Sequence, residues 1–473
     1  MIGPSTPAST LDQAQGSTAR ALAVLTSLFF LWGFITVLND VLVPHWKELF
    51  ALSYTESLLV QFCFFGAYFF GSLGYYLLSI SSGDPIARIG YKRGLILGLG
   101  ISALGCALFA PASAMHSYAA HLAALFILGT GFTVLQIAAN PFVVIIGSPD
   151  GASSRLNLAQ AFNSLGTTLA PLIGGWLIFD HATPETAVRL PYLGLAVVLS
   201  FIAVVVGLTG LPEPPLVMTT QKGSAIRHPQ LQRGMAAIFC YVGAEVAIGS
   251  LIISFLGLGS VMGLPEDGAK HYLSLYWGGA MTGRFLGAIA LNDRIDQGKR
   301  IGLMLLIGAA MFALLCALNA TGTFDVKAFW PLAILIVTNM AAFLLAGPDP
   351  SRALGLFSLA AIALLVVVIA AEGPLAMWAI IAIGLFNSIL WSNIFTLSID
   401  GLGVDTAQGS SLLVMMIVGG ALIPPAQGAI IDFLGGKNDT GVGFHISFLI
   451  PLMCYAYLAW FGLSGARRTT ATS

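Results

Sequence analysis

Apolar runs of about 20 residues, each long enough to cross the hydrocarbon core of a bilayer as a helix, alternate along the chain with short polar breaks. The pattern predicts spans at roughly 21–43, 56–80, 92–112, 119–147, 154–179, 190–211, 233–261, 270–291, 301–319, 329–346, 351–371, 374–399, 408–434 and 443–464, fourteen in all. The longest break, Pro212 to Arg233 with its PEPP stretch, Lys222 and Arg227, follows the sixth span. It predicts a linker at 212–232 between a six-helix bundle at 21–211 and a second bundle at 233–464, with a Ser-, Thr-, Ala- and Gln-rich N-terminus (1–20) expected to be disordered and a short tail at 465–473. Two-bundle transporters have this layout, with the substrate held near the bilayer midplane.

Composition agrees with that pattern: 57% of the 473 residues are hydrophobic and 9% charged, against about 25% charged in an ordinary soluble domain. The expected class is an all-α polytopic membrane protein. A net charge of −1 gives no basic patch for nucleic acid. The five cysteines lie in apolar segments without metal-ligand spacing, so packing is their expected role. The first apolar run is too long for a signal-peptide core, and no cleavage is expected. With the N-terminus inside, fourteen Lys and Arg fall in inner segments and five in outer ones. That asymmetry places both termini in the cytoplasm.

Charge inside the spans changes the picture further. Asp40 interrupts LFFLWGFITVLNDVLVPHW, Glu245 lies in the seventh span and Arg284 in the eighth. A charge at mid-membrane depth costs several kcal/mol, so each is a functional candidate. Burial disfavours the charged form of a carboxyl, so Asp40 and Glu245 are candidates to load and unload a cation. Arg284 reads equally as a partner for a nearby carboxylate or as a side chain reaching toward the inner surface.

Thr133, Gln136 and Asn140 share one helical stripe, and Asn157, Gln160 and Ser164 another, with Asn163 alongside. Amides in lipid need partners or a wet cavity, and two stripes on consecutive spans favour a cavity over isolated interhelical bonds. Amides of this kind, with Asn39 and Asn387, beside the aromatic platforms Trp32, Trp277, Phe386 and Trp391, suit sugar hydroxyls and the C–H face of a sugar ring. Between the second and third spans, GDPIARIGYKRG makes a tight turn carrying Arg88, Lys92 and Arg93.

The set WGFITVLNDVLVP, IARIGYKRG, LQIAANPF, RLNLAQAFNSLG, YVGAEVAIGS and SSLLVMMIVGGALIPPAQG resembles the fucose and glucose/galactose:cation symporter family of the major facilitator superfamily. The resemblance implies a bacterial inner-membrane transporter of the major facilitator fold, a monomer with no cofactor, moving a small sugar with a proton. Sodium stays open as the coupling ion. It implies that Asp40 is the coupling carboxylate, that Gln160 and Asn163 line the sugar cavity, and that Gln136 and Glu245 mark the glucose/galactose branch. Arg88, Lys92, Arg93 and Arg284 take gating or structural roles. Two departures stand out: Ala87 occupies the acidic position of the inter-bundle turn, and Trp391, Ser392 and Asn393 stand where the resemblance leads one to expect Phe-Pro-Thr. The segment at about 300–350 reads as an inserted helical pair, a hairpin peripheral to the transport core with Asn339 its only strongly polar mid-span residue.

Other classes fit less well. No H-E-x-x-H occurs, no serine has a histidine partner at membrane depth, and no phosphate-binding loop of the ATPase form is present. A non-transporting sugar sensor of the same fold is expected to carry a soluble output domain, and the tails here are short.

Overall fold

The structure, a computed structural model, describes residues 8–50, 59–175, 188–213, 225–320, 326–435 and 441–466. In chain order the helices are α1 (Ala8–Leu49), α2 (Leu59–Ser82), α3 (Pro85–Ile89), α4 (Tyr91–Ala114), α5 (Tyr118–Ile145), α6 (Ala152–Gly175), α7 (Arg189–Leu208), α8 (Pro229–Gly257) and α9 (Glu266–Ala290). There follow α10 (Gln297–Asn319), α11 (Trp330–Ala346), α12 (Pro350–Ala370), α13 (Gly373–Asn387), α14 (Leu390–Ile399), α15 (Thr406–Met415), α16 (Gly419–Gly435), α17 (Val442–Ser447) and α18 (Leu449–Trp460). No strand occurs among the described residues. A spanning chain must satisfy its backbone within each segment, and the helix does so.

Twelve segments among the described residues are long and apolar enough to cross a membrane, and the count of fourteen is not reached. The two predicted spans outside that set are the fifth and eighth, which the structure forms as α6 and α9, of 24 and 25 residues. They fall short in composition rather than length. Arg155, Asn157, Gln160, Asn163 and Ser164 lie in α6, and Glu266, Asp267, Lys270, His271 and Arg284 in α9.

The chain divides into two compact units that do not coincide with its sequence halves. One comprises Met1–Arg155, Leu165–Ser224 and Val404–Val414, the other Leu156–Ser164, Ala225–Gly403 and Met415–Ser473. In the first unit α4 and α5 approach through small residues: a Cβ on Gly105 would sit 2.5 Å from the backbone nitrogen of Leu128. Close backbone approach of this kind substitutes for the hydrophobic effect, which cannot drive helices together in lipid.

The turn from α2 to α4 belongs to this unit. Asp84 caps α3, its Oδ1 accepting from the amides of Ile86 (2.9 Å) and Ala87 (3.3 Å) and from the Tyr75 hydroxyl (2.5 Å). Gly90, with φ 88°, precedes α4 and offers no capping side chain. Glu213 supplies the cap instead, accepting from the backbone amide of Lys92 at 2.5 Å. A carboxylate there meets both the unpaired amides and the positive end of the helix dipole. Glu213 is thus tied to a turn that it follows by more than a hundred residues.

In the second unit α13 packs against α9 and α12, and α8 against α16 and α18. A Cβ on Gly384 would lie 2.1 Å from the Tyr276 carbonyl, so only glycine lets α13 cross α9 this closely. The twelfth predicted span is not one rod: α13 ends at Asn387, and a turn at 388–389 separates it from α14. The expected hairpin at 300–350 forms as α10 and α11. Leu303, Leu305 and Leu306 of α10 are exposed, as expected of a peripheral element. α11 departs from that expectation, because Asn339 is fully buried and donates to the Leu385 carbonyl of α13 at 3.1 Å.

Candidate functional site

Each unit holds its own cluster of buried polar groups. In the first, Trp32 and Thr36 stand one turn apart on α1. Trp32 donates through Nε1 to the Tyr68 hydroxyl at 3.1 Å, and Thr36 and Gln136 approach the same hydroxyl. Thr133, Gln136 and Asn140 form the predicted stripe on α5, all buried. Thr133 is spent on packing, its hydroxyl lying 2.9 Å from the Gly129 carbonyl and 3.2 Å from that of Ala67. Asn140 differs, since neither end of its amide has a hydrogen-bond partner among the described residues. Asn39 and Asp40 lie in α1, with Asp40 one turn beyond Thr36, but their side chains fall outside the described residues.

In the second unit, Glu245 and Arg284 meet. Glu245 Oε1 lies 3.6 Å from Arg284 Nη2 and accepts from the Tyr241 hydroxyl at 2.7 Å. Tyr241 stands one helical turn before Glu245 on α8, so the pair shares a face. The other guanidinium nitrogens are engaged as well: Nε donates to the Ser388 carbonyl at 3.2 Å and Nη1 to the Ser164 hydroxyl. Arg284 therefore serves the carboxylate and the helix break together, its side chain 12% exposed.

The break itself is a convergence of donors. Where a helix stops, its last carbonyls lose their intrahelical partners. Here the Leu385 carbonyl accepts from the hydroxyl of Ser388 (2.6 Å) and the amide of Asn339, the Asn387 carbonyl from Tyr241 (3.2 Å), and the Ser388 carbonyl from Arg284. The Asn387 side chain is held at both ends, donating to the Tyr276 hydroxyl at 2.8 Å and accepting from Tyr455 at 2.5 Å. Tyr276 in turn donates to the Glu245 carbonyl at 3.0 Å. No proline is needed to stop the helix when side chains from three neighbours take its carbonyls.

The α6 residues of this unit lie alongside. Asn157 donates to Asn393 Oδ1 at 3.4 Å, and Asn393 donates to the Pro350 carbonyl at 3.2 Å. Asn393 is one of the departures at the twelfth span, and it works as a bridge. Gln160 is buried with no partner for its Nε2 among the described residues, and Asn163 is half-buried. Trp391 is 6% exposed, its Nε1 also without a partner. Trp277, by contrast, is 40% exposed, its ring edge-on to Tyr276.

Of the turn residues, Arg88 and Arg93 are exposed, and Lys92 contributes its backbone amide to Glu213. The acid missing at Ala87 has counterparts three residues earlier, in Asp84, and across the sequence, in Glu213. Sequence reasoning missed both, along with Tyr241, Tyr276, Tyr455 and Ser388, and marked Asn393 only as a departure from the family pattern. Only Tyr241 carried a local signal, its spacing from Glu245.

Comparison with known proteins places this architecture. The sequence matches the Major Facilitator Superfamily over residues 21–351. It is 42% identical over 476 residues to the glucose/galactose transporter of Brucella abortus, covering 98% of this chain and 99% of that protein. It is 29% identical to the L-fucose-proton symporter of Escherichia coli, covering 95% and 94%. The crystal structure of an asparagine-to-alanine variant of the E. coli fucose:proton symporter, FucP, superposes with a TM-score of 0.73 at 27% identity, covering 96% of this chain and all of that one. These relatives are transporters rather than enzymes, and the chain, with twelve segments among its described residues long and apolar enough to cross a membrane, belongs to the Major Facilitator Superfamily.

Proposed function

We propose that this protein takes up a neutral hexose of the glucose/galactose class by proton symport and alternating access. Asp40 and Glu245 carry the coupling. The observation that carries the reading is the Glu245–Arg284 pair, buried within hydrogen-bond reach of Tyr241 and tied to a broken helix. A carboxylate whose one cation also holds the Ser388 carbonyl can couple its proton to backbone position. The relatives named as glucose/galactose transporters support the substrate class, as do the buried, unpartnered amide atoms of Asn140 and Gln160 and the unpartnered indole Nε1 of Trp391. Buried polar groups without partners call for an explanation, and sugar hydroxyls are ones they fit. Gln136 in the first unit, and Asn157 and Asn163 in the second, are further sugar-binding candidates.

In this reading the protein is a monomer in a bacterial inner membrane with both termini cytoplasmic, built as bundles at 21–211 and 233–464. It uses no cofactor beyond the proton. The energetics suffice: one charge moving down 100 mV supplies about 2.3 kcal/mol, enough for roughly fifty-fold accumulation of a neutral solute. Counterflow of labelled glucose, galactose, fucose and mannose in proteoliposomes tests the substrate. Exchange of glucose or galactose, with fucose and mannose failing to compete, supports it; preferential exchange of fucose overturns it.

A further inference from the structure

We infer that the inserted hairpin α10–α11 is a working part of the site, with Asn339 a positioning residue for the break between α13 and α14; the inference rests on the transport reading above. Asn339 is fully buried, and its acceptor is the Leu385 carbonyl, two residues before Asn387 and three before Ser388. Those are the residues whose carbonyls take Tyr241 and Arg284, the two partners of Glu245. Only the donor end of the amide is used; Oδ1 has no partner among the described residues.

Two further contacts carry the hairpin to the same place. Phe343 of α11 packs on Phe357 of α12 with ring centroids 4.5 Å apart, and Phe357 packs on Phe386 at 5.4 Å, the residue before Asn387. At the far end of the hairpin Asn319 donates to the Ser274 hydroxyl at 3.2 Å and lies 2.9 Å from His271 Nδ1, fixing α10 to α9, the helix that bears Arg284. The Asn319 tie meets α9 ten residues before Arg284, so the hairpin's link to the break runs through Asn339 and Phe343 of α11. Among the described residues three side-chain donors reach the carbonyls of the break from other helices, and Asn339 is the one that comes from the hairpin.

The test compares Asn339→Leu with Asn319→Leu, which loosens the hairpin without touching the break, in proteoliposomes. Asn339→Leu is expected to reach the membrane, to retain counterflow, and to shift the pH of half-maximal gradient-driven uptake by about 0.5 unit or more, a threefold change in proton affinity. Asn319→Leu is expected to leave that pH profile on the wild-type curve. Ser388→Ala, which removes the other donor to Leu385, is expected to combine non-additively with Asn339→Leu. If Asn339→Leu does not reach the membrane, Asn339→Ala is read by the same criteria. A wild-type pH profile in the Asn339 variant, or equal shifts from both hairpin variants, overturns the inference while leaving transport intact. Absence of sugar uptake by the wild type overturns the transport reading instead.

Discussion

Tyr241 donates its hydroxyl to Glu245 at 2.7 Å and lies 3.2 Å from the Asn387 carbonyl. One phenol proton faces two acceptors, so the state of the carboxylate decides which it serves. An ionised Glu245 draws it; a neutral one releases it to the broken helix. Tyr241→Phe removes the choice, and the loss of a hydrogen bond to a charged group is worth about 1.5–3 kcal/mol. The expected result is retained sugar counterflow with a displaced pH optimum of uptake. An unaltered optimum contradicts the role.

Glu245→Gln should leave Arg284 with the Ser388 carbonyl and the Ser164 hydroxyl but no counter-charge. Gradient-driven accumulation is expected to fall while exchange persists, because the amide can still hydrogen-bond but cannot carry a proton. The converse change, Arg284→Met, leaves a buried carboxylate unpaired and should destabilise the fold by about 3–5 kcal/mol. Accumulation ratios and thermal unfolding in detergent separate the two effects.

Asn157 and Asn393 share one amide–amide bond, and Asn393 passes the connection to Pro350. Alanine at either position removes the same bond, so the double variant should lose less stability than the two single losses added. The expected coupling is about 0.5–1.5 kcal/mol, from unfolding of all four proteins. Strict additivity would show that the bridge contributes nothing.

At the α2–α4 turn, burial pushes the Asp84 carboxyl above its ordinary range, and the bonds from Tyr75, Ala87 and Ile86 only partly oppose this. The folded protein then holds the proton more tightly than the unfolded chain. The associated stability is fully present below the unfolded pKa and is lost as pH rises through the folded one. Asp84→Asn keeps an acceptor for the two amides and should flatten that fall. Melting temperature followed from pH 4 to 8 reads it; parallel curves for wild type and variant would contradict the assignment.

Much of this was legible in the sequence and some was not, for physical reasons. Apolar runs of spanning length and the position of charges within them are local properties, so the helical class and the candidacy of Glu245 and Arg284 could be read directly. The partners of those residues are not local. Tyr276, Tyr455 and Ser388 reach the site only because α9 packs on α13 and α18 packs on α8 and α12, and a tyrosine in an apolar run looks like any other core aromatic. The helix break was invisible because no proline or glycine marks it; its cause is the set of donors arriving from other helices. The hairpin appeared peripheral for the same reason, since the acceptor of Asn339 is a backbone carbonyl.

The central claim is proton-coupled uptake, and labelled glucose or galactose uptake into proteoliposomes under an imposed proton or sodium gradient tests it most directly, wild type beside Asp40→Asn. The account predicts that the proton gradient alone drives accumulation by the wild type and that Asp40→Asn equilibrates the sugar without concentrating it. Accumulation driven by sodium alone, or an Asp40→Asn protein that still concentrates sugar, would contradict it.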